Sequence, residues 1–171
     1  AFRFPFPFLP RHLTLIGTFS IGVPGFFLAL APNVRRARPG FVDRVLRFSI
    51  PAGFVAAVAT FIVYQVLRTA DDVSLIEART GAALVLLGVV LVVLGLLARP
   101  IRLGHVVLIG SMCFAYLAVL AIEPLRTYFV LDAPPLWGWG VVSGALAAAA
   151  ALIVVTPRLA PWISTDPQEI E

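Results

Sequence analysis

An all-α, polytopic bundle of transmembrane helices is the fold this sequence predicts, and three observations predict it. Of 171 residues, 60% are hydrophobic and only 13% are charged, where an ordinary soluble domain is about 25% charged. The mean hydropathy is +0.99, so too little polar surface exists to cover a water-soluble globule. The apolar residues gather into five runs, residues 13–30, 50–67, 81–98, 103–122 and 136–155, and no charged side chain falls inside any of them. A hydrocarbon core about 30 Å thick needs roughly 20 residues at 1.5 Å rise. Continuous runs of this length satisfy their backbone in lipid only as helices. The sequence therefore predicts one transmembrane domain over residues 1–171, with five spans and the first of them broken near Pro24.

The elements can be justified in chain order. The opening AFRFPFPFLP has neither an initiating methionine nor a basic n-region, so it reads as a fragment of something longer rather than a signal peptide. The first run contains GTFSIGVPGFF, a helix with its own breakers at mid-depth. Pro24 cannot donate to the carbonyl of Ser20, and its ring crowds that turn. Gly22 and Gly25 flank it, and Gly17 offers another flexible point earlier. Carbonyls freed in hydrocarbon cost several kcal/mol unless something pairs with them. A cation can do so, together with the hydroxyls of Thr14, Thr18 and Ser20. Transporters expose ion ligands in such discontinuous helices; a plain proline kink is the other reading.

Between the first two runs lies a basic connection holding Arg35, Arg36, Arg38, Arg44 and Arg47. In residues 41–48, apolar and charged side chains alternate at helical spacing, which predicts a short interfacial helix. It serves as a topology anchor or, alternatively, as a lipid- or calmodulin-type regulatory site. Pro51 is expected to kink the start of the second span. Before the third run, Ser74-Leu-Ile-Glu77 has capping-box spacing. Gly81, Gly88 and Gly95 then recur every seven residues along one face, a groove that admits a neighbouring helix. Cys113, the lone cysteine, excludes an internal disulfide and reads as a small buried hydrophobe. Asp132-Ala-Pro-Pro is expected to cap and start the fifth span with proline in its first turn. Trp137 and Trp139 fall at the membrane interface. The polar tail, residues 156–171, is expected to hang in the cytoplasm.

The net charge of +4 arises from 13 arginines and no lysine, against nine acids. The arginines lie between apolar runs rather than on a polar face, so they mark topology and argue against nucleic-acid binding. Eight stand on the side of the Arg35–Arg47 loop, its five together with Arg99, Arg102 and Arg158, and five stand opposite. The positive-inside rule puts that connection and the C-terminus in the cytoplasm. No P-loop, GxSxG or HExxH pattern occurs, and His12 and His105 fall on opposite sides, too far apart for a shared metal or haem. No catalytic residue can be named, and no resident metal.

The residues FPFLPRHLTLIGTFSIGVPGFFLALAPN closely resemble the sixth transmembrane helix of cation-transporting P-type ATPases. That family carries the pattern L-P-x-x-L-x-x-x-N-x-x-T-D-G-x-P-A-x-x-L-x-x-x-P. Leu9, Pro10, Gly22, Pro24, Leu28 and Pro32 match it, with Gly25 in place of the alanine. The basic loop and four further spans fit helices seven to ten. The resemblance implies a parent protein that uses ATP and Mg2+ through a phosphorylated aspartate in a cytoplasmic domain. It also implies helices one to five upstream, and a bacterial-type plasma membrane. On it, Gly17, Thr18, Ser20, Ile21, Gly22 and Pro24 lie along the ion pathway. Three positions depart from the pattern: Gly17 for the asparagine, Ser20 for the threonine and Ile21 for the ion-binding aspartate. The transported cation is not specified by these residues. Two other classes stay open, a non-catalytic membrane subunit or scaffold and part of a secondary transporter.

Overall fold

The computed structural model describes residues 5–30, 41–97 and 103–159, and among these it contains helices and turns with no strand. In order they are α1 (Pro10–Gly17), a π-helical turn (Thr18–Gly22), α2 (Val23–Leu30), α3 (Phe41–Arg68), α4 (Leu75–Leu97), α5 (Leu103–Ala121), α6 (Glu123–Phe129) and α7 (Leu136–Leu159). Four helices are long and apolar enough to cross a membrane: Val45–Arg68 within α3, α4, α5, and Leu136–Val155 within α7. The first run is helical from Pro10 to Leu30 but divided by the π turn. The start of the chain, the Arg35–Arg38 connection, Arg99, Arg102 and the tail from residue 160 lie outside the described residues.

Helix α4 is the hub. Its residues from Gly81 to Leu97 carry no charge and present hydrocarbon in every direction, the composition of a helix surrounded by others. Half of its apolar window is buried, against 17% for α5. One side joins Val63, Tyr64 and Leu67 of α3 and Val142, Ala149 and Ile153 of α7 in a first core. The other side gives Leu87 and Leu91 to a second core with Met112, Tyr116, Val119 and Leu120 of α5 and Leu15 of α1. The glycine spacing works as the sequence implies, though it serves more than one neighbour. A β-carbon at Gly81 would collide with Leu67 and crowd Val142, one at Gly88 would meet Leu146 of α7 at 2.8 Å, and Gly95 faces Ile109 of α5 at 3.5 Å.

The capping box is formed reciprocally: the Ser74 amide donates to Glu77 Oε2 (2.6 Å), and the Glu77 amide donates to Ser74 Oγ (3.2 Å). Three local expectations are corrected. Residues 41–48 are no separate interfacial helix, because α3 continues without interruption through Pro51. The Asp132 segment does not place proline in the first turn of α7. Pro135 stands at the cap, its carbonyl accepting from the Trp139 amide, while the Asp132 amide donates to the buried Thr80 hydroxyl of α4 (3.0 Å). Cys113 is exposed rather than buried. Helix α5 packs through Met112 and Tyr116, which turns the Cys113–Phe114–Leu117 side outward.

Every described connection lies at one end of the bundle, where polar contacts tie the segments together. Tyr64 Oη donates to the Pro5 carbonyl (2.7 Å), and Arg79 Nε donates to the Phe6 carbonyl (3.1 Å). Trp137 Nε1 donates to Asp72 Oδ2 (2.9 Å). The Arg11 guanidinium donates to the Tyr128 carbonyl (2.9 Å) and lies 5.7 Å from the centroid of that ring. Helix α6 ends at Val130 in the left-handed region (φ 54°, ψ 51°), with the Leu131 amide donating back to Arg126. A β-branched residue there stores strain of about 1–3 kcal/mol. His12, with no exposed surface, donates from Nε2 to the Val130 carbonyl (3.2 Å). A carbonyl only accepts, so the proton sits on Nε2 in the neutral ring.

Candidate functional site: the π turn ahead of Pro24

The break in the first helix is a change of register, not a stretch of unwound chain. The Thr18 amide still donates to the carbonyls of Leu15 and Thr14. By Val23 the amide reaches back to Thr18, an i→i−5 bond. The next residue, Pro24, has no N–H, so in this wide register the Phe19 carbonyl loses the donor that position 24 would supply. Single-turn π segments are rare and recur at functional sites.

The six residues singled out from sequence are brought together, but not on one face. Ser20 (8% exposed) and Pro24 point into the bundle, while Thr18, Gly22 and Ile21, the last 73% exposed, point away from it. Gly17 is half-buried between the two. The hydroxyls divide likewise. Thr14 Oγ1 donates to the Pro10 carbonyl (3.1 Å) and Thr18 Oγ1 to the Thr14 carbonyl (2.8 Å). Both therefore keep lone pairs for another partner on the outward side. A β-carbon at Gly22 would meet only the Gly17 carbonyl at 3.7 Å, and one at Gly17 or Gly25 would meet nothing within 4 Å.

On the inward side, Phe19 and Val23 pack against the second core. The Phe19 ring stands edge-on to Tyr116 of α5, with centroids 6.4 Å apart at 79°. Sequence patterning did not single out Tyr116, since a tyrosine inside an apolar run carries no motif. No group of three or more histidine, cysteine, aspartate or glutamate side chains able to hold a metal occurs among the described residues. What the π turn can present is neutral oxygen: backbone carbonyls and hydroxyls on both sides of one helix.

Comparison with known proteins bears on what such a turn does. No family model matches the chain, and no solved structure matches it. Curated relatives do. The chain is 40% identical over 153 residues to the calcium-transporting ATPase CtpE of Mycolicibacterium smegmatis, covering 88% of this chain and 19% of that protein. It is 40% identical over 131 residues to calcium-transporting ATPases CtpE of Mycobacterium bovis and of Mycobacterium tuberculosis, covering 75% of this chain and 16% of each relative. The chain thus spans less than a fifth of the length of the relatives it matches. Over most of its own length, with four helices of membrane-spanning length and composition, the chain is homologous to part of the P-type cation-transporting ATPases.

Proposed function

We propose that this chain is the C-terminal membrane part of an ATP-driven P-type pump, and that its first helical run lines the path of the transported cation. The observation that carries the reading is the π turn of Thr18–Gly22 running into Pro24. It stands at the place where the sequence resembles the ion-site helix of that family. On this reading Pro10–Leu30, 21 residues of helix, is a fifth span. At 1.5 Å per residue it is about 31 Å long, enough to cross the hydrocarbon core. The end of the bundle that holds His12 and α6 then faces outward, and the C-terminus faces the cytoplasm of a bacterial-type plasma membrane.

The relatives' names make calcium the cargo to propose. Calcium takes six to eight oxygen ligands, usually with carboxylates among them. The described helices offer no carboxylate at mid-depth, and Ile21 stands where the family has aspartate. The charge must then be balanced by helices upstream in the same polypeptide, which also supplies the ATP- and Mg2+-using cytoplasmic domain. Outward-facing Thr18, Ile21 and Gly22 are the surface such helices would meet.

Transport by the full-length protein tests the assignment. Ser20→Ala removes a hydroxyl on the inward side. Gly22→Leu fills the outward side, where among the described residues a β-carbon would meet only the Gly17 carbonyl at 3.7 Å. Each is expected to weaken apparent calcium affinity about fivefold or more, the equivalent of one lost interaction of about 1 kcal/mol. Unchanged affinity in both variants would sink the assignment.

A further inference from the structure

Three buried side-chain atoms among the described residues have no hydrogen-bond partner: His12 Nδ1, Thr60 Oγ1 and Tyr116 Oη. The first belongs to a ring already anchored through its other nitrogen. The second sits next to its own backbone and reaches a carbonyl one turn back by rotating. Tyr116 has neither recourse. Its hydroxyl stands at the far end of a rigid ring, beyond reach of the carbonyls of its own helix. The residue is 2% exposed, and its core neighbours Leu15, Leu87, Leu91, Met112 and Val119 are hydrocarbon or thioether. Leaving a buried hydroxyl unpaired costs about 1–3 kcal/mol, and a phenylalanine would fill the same space without that cost.

The ring's other neighbour gives the hydroxyl a use. Tyr116 meets the π turn at Phe19, and Phe19 is the residue whose carbonyl is deprived of a donor by Pro24 in the i→i−5 register. Ser20, a second buried hydroxyl, comes directly after it. The ring that carries a phenol without a partner therefore packs against the residue whose carbonyl is short of a donor, one position before a buried serine. A guest that supplies both a donor and an acceptor, or a positive centre, would satisfy the set. Water and a partly dehydrated cation are such guests.

We propose that the Tyr116 hydroxyl, with the Phe19 carbonyl and Ser20, forms a neutral oxygen site on the bundle side of the π turn, for the cation or for water of its first shell. The inference rests on the reading that the π turn lines the cation path, and it adds a second helix, α5, to that path. It also gives the bundle-facing side of the turn a role separate from the outward side.

The test uses the full-length protein, with calcium chloride as the probe and Tyr116→Phe as the variant. Two quantities are read: the calcium dependence of ATP hydrolysis, and the calcium-induced rise in thermal midpoint. Tyr116→Phe is expected to weaken apparent calcium affinity about fivefold, the equivalent of one net hydrogen bond, and to shrink the calcium-induced rise. Without calcium its midpoint should equal or exceed that of the wild type, because an unpaired hydroxyl has been removed. A midpoint lowered equally with and without calcium would mean that the phenol serves a fixed partner elsewhere in the polypeptide, and the site would be overturned. A shift in Ser20→Ala and Gly22→Leu but none in Tyr116→Phe overturns the Tyr116 site and leaves the path through the π turn standing. No shift in any of the three, or a wild type indifferent to calcium, overturns both.

Discussion

Gly81→Leu in the full-length protein is expected to lower the thermal midpoint sharply, by the largest margin of any single change in the α3–α4–α7 core. The β-carbon alone would collide with Leu67 of α3 and crowd Val63 of α3 and Val142 of α7. Leu67 and Val63 have no exposed surface, so neither can make room by turning outward without disturbing its core neighbours. Overpacking of this kind costs about 1–3 kcal/mol when neighbours can shift, and more when a helix must be displaced. Two other glycines calibrate the effect. Gly88→Leu should cost less, because its contacts are the atoms of one half-buried side chain, Leu146. Gly144→Leu, exposed and with nothing within 4 Å of its β-carbon, should change stability little. Unfolding followed by tryptophan fluorescence in detergent would rank the three. A Gly81→Leu variant as stable as Gly144→Leu would mean that the approach of α3 to α4 does not hold the bundle together.

That glycine stripe was legible in the sequence because helical packing is written in local spacing, as was the Ser74–Glu77 cap. The direction Cys113 faces was not. An apolar run shows that a residue is in a helix, but α5 is apolar all round, so only its packing partners decide which side turns inward. The clamp of His12 on Val130 joins residues 118 apart in sequence. Neither residue carries a motif, and helix α6 between two spans is too short to announce itself. At the candidate site the sequence identified the stretch and its departures from the family, since proline and glycine chemistry is local. It could not say whether the backbone would unwind, kink or widen into a π turn. That choice depends on which hydrogen-bond register lets Phe19 and Val23 pack against α5 and α4, a tertiary matter. For the same reason Tyr116 was invisible: its interest lies in what its hydroxyl lacks, and a missing partner has no sequence signature.

Pro24→Ala separates a packing kink from a functional turn. Alanine restores the N–H at position 24, which can then serve the Phe19 or Ser20 carbonyl and draw the helix back toward regular register. Proline in a helix interior costs about 3 kcal/mol relative to alanine, and less here, because the π turn ahead of it already widens the helix where the ring would crowd. Against that gain, the buried Pro24 ring loses two methylenes at about 0.8 kcal/mol each. The two effects nearly offset, so folding should change by no more than about 1 kcal/mol, a net difference typical of single substitutions. Transport should not be spared. If the wide turn and its released carbonyl serve the cation, the variant is expected to lose calcium-dependent ATP hydrolysis and calcium uptake by about tenfold or more, equivalent to about 1.4 kcal/mol. The informative result is the contrast between the two readouts. A kink that exists only for packing would give a variant whose activity tracks its folded fraction. A turn that exists for the ion gives a protein that is as stable as before, with its helix repaired, and that no longer pumps.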